Sequence, residues 1–220
     1  MGEWISANIT LPLSATASDE KENAYSHFLG LLLSVIGFMA VIASSPASGH
    51  PASRTGMIVF AISNIVLYAA SGFYHFLKPG LGKKAMRILD HSCIYLLIAG
   101  SYTPILLYAG TPLAEWYTAG IWIAAAAGII LTIRFWGKLY ALHIALYIAM
   151  GWSVMTIYDE LVPVLPPCLI PYMVTGGIIY TAGVVFYAAK RIAHHHLIWH
   201  IFVLAGSISF FIGYSSCLLA

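Results

Sequence analysis

Residues 195–207 read HHLIWHIFVLAGS, and the apolar run they open continues to residue 220, with His196 and His200 four residues apart at its head. About 20 apolar residues are enough to cross a bilayer as one helix. Residues four apart share a face of that helix. The stretch therefore reads as a membrane helix with two imidazoles on one side near one end. Ionisable side chains at membrane depth are costly and persist where they are paired, hold a metal or face water. A third histidine, His75, closes another apolar run in SGFYHFL (71–77). Whether three imidazoles meet depends on how the rest of the chain is threaded.

The whole chain shares this character. It is 60% hydrophobic and only 8% charged, with a mean hydropathy of +0.86. Soluble domains carry about 25% charge, so the class is an all-α integral membrane protein. Asp19, Glu20 and Glu22 precede the first apolar run where a signal peptide would carry basic residues. The N-terminus is therefore expected not to be a cleaved signal. No basic tract suits nucleic acid. Cys93, Cys168 and Cys217 form no CxxC, which argues against a thiol redox pair or a cysteine zinc site. Cys168 and Cys217 both come near one membrane face, and their separation decides whether they can pair.

Seven spans are predicted: 28–45, 56–77, 92–109, 116–133, 139–158, 169–189 and 197–220. Residues 1–26 form an N-terminal segment and 27–220 the transmembrane domain. Gly30, Gly37, Gly128, Gly151, Gly176, Gly177 and Gly183 lie within spans and permit close helix approach. Prolines such as Pro46, Pro51, Pro79, Pro112 and Pro163 mark the turns. Pro104 falls inside span three and should kink that helix and free a carbonyl near Gly100. Lys21, Lys78, Lys83, Lys84, Arg87, Arg134, Lys138, Lys190 and Arg191 fall on the N-terminal side, and Arg54 alone on the other. The positive-inside rule then places the N-terminus in the cytoplasm and the C-terminus outside.

That threading puts His75 at the cytoplasmic end of span two, and His196 and His200 at the cytoplasmic start of span seven. Asp90 opens span three at the same depth, all within roughly 6 Å at 1.5 Å per residue. Ser71, four before His75, faces the same way. Three histidines with an open fourth position are the pattern of a catalytic Zn²⁺ site. Water would fill that position, with Asp90 to take its proton and Ser71 to add a hydrogen bond.

Plainer readings exist for each part. His196 and His200 can hydrogen-bond backbone or headgroups. His195 and His196 cannot both face inward. Asp90 can serve as the N-cap of span three. His91 points elsewhere and reads as interfacial, as do His27 and His50. His143 reads as a satisfied packing residue. The joint placement, rather than any single residue, favours a metal.

At these residues the chain resembles the hemolysin III family, within the larger group of progestin and adiponectin receptors. The matching stretches are SGFYH (71–75), LDHSCIYLLIAGSYTP (89–104), AMGW (149–152) and HLIWHIFVLAGS (196–207). The resemblance runs from about Tyr25 onward, and its short form is similar to the bacterial branch. It implies a seven-helix fold with the N-terminus inside, in the bacterial cytoplasmic membrane. It also implies zinc on His75, His196 and His200, with Ser71 and Asp90 beside the metal's water. The group is more distantly similar to alkaline ceramidases, which cleave lipid amides with zinc.

The leading functional expectation is a zinc-dependent hydrolase acting on a membrane lipid or other fatty-acyl amide or ester. The alternative is a receptor or sensor of membrane state in which zinc staples spans two and seven. A pore fits less well, because channels show a polar stripe through several spans and the outer halves here are almost wholly apolar. The lack of a mid-membrane lysine argues against retinal chemistry. Loading an ion needs neutral imidazoles, so affinity should fall as pH drops below roughly 6.5.

Overall fold

The computed structural model describes residues 2–12, 16–44 and 51–218, with only the backbone of 51 and 52. Pro46 and His50 lie outside the described residues. Among those described there is no strand, and seven helices are long and apolar enough to cross a membrane. A short helix α1 (Gly2–Asn8) precedes them. The spans are α2 (Ala17–Ala43), α3 (Pro51–Phe76), α4 (Leu81–Ala109), α5 (Pro112–Arg134), a broken fifth span, α8 (Leu169–Ala188) and α9 (His195–Leu218). The fifth comprises α6 (Tyr140–Trp152), a 3₁₀ stretch (Ser153–Ile157) and α7 (Tyr158–Leu161).

The first span starts well before residue 28, and its sequence explains why. Thr16 Oγ1 accepts the Asp19 N–H at 3.1 Å, while Asp19 Oδ2 accepts the Thr16 N–H at 3.0 Å. This capping box satisfies two orphan donors and starts the helix at Ala17. The polar residues that follow are not solvated: Asn23 and His27 are buried against the bundle. Span three also starts early. Gly80 is its N-cap, which puts Asp90 inside the helix and removes the capping role as its explanation.

The helices form a ring in which α2 contacts both α3 and α9, α3 packs on α4, α4 on α5, α6 on α5 and α8, and α8 on α9. Helix α4 also touches α6 and α9. It is the innermost span, 67% buried over its apolar window against 17% for α8. Outward-facing Leu32, Ile36, Trp116, Ile123 and Ile130 are exposed, as a lipid-facing surface requires. Seven crossings put the two termini at opposite ends. The turns rich in Lys and Arg share an end with the start of α2. At the other end Cys168 is joined to Cys217, with Cα atoms 6.2 Å apart.

Backbone comes close to backbone where α3 crosses α4. A Cβ on Gly56 would come within 2.5 Å of the Pro104 Cα. That atom is backbone and cannot yield easily. Gly56→Ala should therefore lower stability by about 1–3 kcal/mol, read as a fall in the thermal midpoint of detergent-purified protein. Gly151 differs from the expectation for span glycines, since nothing lies within 4 Å of its Cβ position. Pro104 leaves α4 continuous. The Tyr214 hydroxyl donates to the carbonyl of Ser101, beside the carbonyl expected to be freed. Tyr102 bridges the break in span five, donating to the Met150 carbonyl at 2.7 Å and accepting the Val154 N–H at 2.9 Å.

Candidate metal centre

His75 sits in the last turn of α3, and His196 and His200 in the first turns of α9. Short turns at the same end of the bundle bring them together. One ring nitrogen from each lies within 4.8 Å of those of the others. The Nε2 atoms of His75 and His196 are 3.2 Å apart. Ring centroids are 5.1 Å apart for His75 and His196, and 4.5 Å for His196 and His200. His75 and His200 are buried and His196 is half-buried.

The donor set fits one metal ion. Bonds of 2.0–2.1 Å in a tetrahedral site place ligand nitrogens about 3.3 Å apart, close to the His75–His196 separation. Neighbouring contacts leave the same nitrogen available on two rings. His75 Nδ1 faces Glu20 Oε2 at 3.2 Å, and His200 Nδ1 faces the Asn23 carbonyl at 3.2 Å. Both partners accept, so both Nδ1 atoms carry hydrogen and both Nε2 atoms keep a lone pair.

The structure also settles which histidine of the HHH run turns inward. His194 has a positive φ of 52° and is exposed near Asp19 and Glu22. His196 joins the cluster, as the four-residue spacing to His200 suggests.

Asp90 lies in the same polar region, and its Oδ2 is 3.3 Å from His91 Nδ1. His91 is therefore not simply interfacial: it is the partner of Asp90 and packs on the Trp136 ring, centroids 5.3 Å apart. Ser71 is buried near the Asp90 carboxylate, and its Oγ makes no hydrogen bond within geometric limits. His143 accepts or donates a 2.7 Å hydrogen bond with the Tyr95 hydroxyl, consistent with a packing role.

His27 requires the largest correction. Read as interfacial, it is buried, its ring stacked on His200 with centroids 3.5 Å apart. Neither of its ring nitrogens has a hydrogen-bond partner. With Glu20 and Asn23 it forms a set at 20, 23 and 27, spaced for one helix face. That spacing is a readable signal, masked by the low hydropathy of the segment, which resembles the end of a span.

Residues 15–211 match the family described as haemolysin-III related. The chain belongs to that family. It is 35% identical over 198 residues to the Hemolysin-3 homolog of Bacillus subtilis, covering 89% of this chain and 92% of the relative. It is 34% identical to Hemolysin-3 of Bacillus cereus, covering 88% and 89%. It is 25% identical to the monocyte to macrophage differentiation factor of Homo sapiens, covering 86% and 79%.

In this haemolysin-III relative the histidines open onto a cavity of about 760 Å³. Its polar end includes His75, Asp90, His196 and His200. Its walls are largely apolar, with Leu97, Ile98, Ile105, Val203 and Phe210 among them, and it reaches Leu161 and Leu165 beyond the break in span five. The arrangement can hold a metal ion at one end of a space suited to a long apolar molecule.

Proposed function

We propose that this protein is a zinc-dependent hydrolase of a lipid amide or ester, working from the cytoplasmic leaflet of a bacterial inner membrane. One observation carries the reading: the three histidines and Asp90 share the polar end of an otherwise apolar cavity. A volume of about 760 Å³ lies in the range of small-molecule pockets. An all-imidazole donor set favours zinc among the common ions. The charge asymmetry of the turns supports a cytoplasmic N-terminus. The Cys168–Cys217 bond supports an oxidising exterior at the opposite end.

His75, His196 and His200 would hold the ion. When bound, zinc supplies Lewis acidity to a water and to the scissile carbonyl. Asp90 takes the proton of the attacking water and returns it to the leaving group. His91 steadies the carboxylate from 3.3 Å. The Ser71 hydroxyl donates to the oxygen on which charge develops. The apolar walls hold the acyl chain and keep bulk water from the reacting end.

The test is direct. Purified protein incubated with ceramides or other acyl amides should release fatty acid. Release should stop on chelation and return with zinc. Absence of release across acyl amides and esters by zinc-loaded protein would count against the proposal. Both zinc loading and release should fall in acid, because a protonated imidazole has no lone pair to hold the ion. The relatives named hemolysin raise membrane lysis as a second reading. Rapid solute leakage from vesicles holding the protein would favour it; intact vesicles are expected.

A further inference from the structure

We propose that Glu20 is a positioning residue of the metal centre, fixing the His75 ring so that its Nε2 faces the ion, with Lys83 locking the carboxylate in place. The inference rests on the metal reading above and adds residues from two helices, α2 and α4, that supply no ligand.

Glu20 lies in the first turn of α2. Its Oε2 is 3.2 Å from His75 Nδ1 and 2.7 Å from Lys83 Nζ. A carboxylate can only accept, so the hydrogen of the neutral His75 ring is held on Nδ1. The opposite tautomer would aim an N–H at the ion and leave the Nδ1 lone pair facing a negative charge. Glu20 disfavours both errors at once.

Lys83 is buried, which is unusual for lysine. All three of its donors are used: Glu20, the Tyr74 carbonyl at 2.8 Å and the His75 carbonyl at 3.3 Å. Those carbonyls end α3, where no following turn supplies N–H groups. A cation is favourable there. Lys83 thus ties Glu20 to the backbone of the same residue whose ring Glu20 orients.

Helix α2 treats His200 in a parallel way. Its Nδ1 lies 3.2 Å from the Asn23 carbonyl and 3.1 Å from Ser26 Oγ. The Ser26 hydroxyl hydrogen is already given to the Asn23 carbonyl at 2.8 Å. Its oxygen therefore accepts from His200. Three positions of α2 present two ligands on two other helices, each through Nε2. Contacts of this kind are worth about 10–100-fold in metal affinity.

The test uses purified full-length protein, stripped with a chelator and titrated with Zn²⁺ against a chromophoric competitor. Glu20→Ala should weaken zinc about 10–100-fold. Glu20→Gln keeps an acceptor oxygen for the Nδ1–H and should restore part of that loss, which simple packing would not predict. Lys83→Met should also weaken binding. The pair Glu20→Gln/Lys83→Met should be less than additive, because both act through one contact. The visible spectrum of Co²⁺-loaded protein should shift in Glu20→Ala and stay closer to wild type in Glu20→Gln. Wild-type affinity and spectrum in a folded Glu20→Ala would overturn the proposal. Should that variant fail to fold, unchanged affinity in both Glu20→Gln and Lys83→Met would do the same. A wild-type protein that binds no zinc would sink the metal centre itself, whereas wild-type zinc binding with indifferent Glu20 variants would sink the positioning role alone.

Discussion

Replacing any one of His75, His196 and His200 is expected to reduce zinc from about one per purified chain to a small fraction. Three ligands are the fewest found in catalytic zinc sites, and two imidazoles do not complete one. The loss should exceed the roughly 10–100-fold produced by changes in the surrounding shell. His200 is the most informative position. It is fully enclosed and stacked between the metal site and His27, so alanine would also open a hole. His200→Gln keeps most of the volume and separates ligand loss from collapse. Elemental analysis after size-exclusion chromatography reads the result. Full zinc in all three variants would mean that the ion, if any, sits elsewhere.

The second large effect is expected at Asp90. Asp90→Asn should leave zinc content near wild type, because Asp90 is not one of the three convergent donors. It should lower fatty acid release by about 10²–10⁴-fold, the usual loss when a positioned proton acceptor is removed. The asparagine side chain fits the same space, so the fold should survive. The contact with His91 at 3.3 Å would weaken, and a charge opposite that histidine would be gone. A variant that retains wild-type turnover would remove Asp90 from the mechanism. A variant that loses zinc along with activity would reassign it to holding the site together.

The fold was readable because membrane helices announce themselves by composition. Each of the seven apolar runs corresponds to a span, and the histidine grouping followed from which ends of those spans coincide. The 20–23–27 face was not read, for a physical reason. Hydropathy scores Glu20, Asn23 and His27 as ends of a span, whereas these residues turn inward and meet partners on α3 and α9. The Glu20 carboxylate is tolerated at that depth because His75 and Lys83 pair with it, and such pairing is invisible to a count along one segment. The start of α4 is hidden in the same way. Lys83, Lys84 and Arg87 disguise the first turns of α4, although Lys83 is buried. The break in span five is a different case. The stretch AMGW contains a glycine but no proline, and the backbone where the helix changes pitch is satisfied in part from another helix, by the Tyr102 hydroxyl, alongside the local Ser153 hydroxyl.

The central claim is an open metal centre of three histidines. X-ray absorption at the zinc edge of the purified protein tests it most directly. The account predicts one zinc with three imidazole nitrogens at about 2.0–2.1 Å and one further light atom from solvent, and loss of one imidazole shell in His196→Ala. Four protein ligands around the zinc, sulfur in its shell, or a spectrum unchanged in His196→Ala would contradict it.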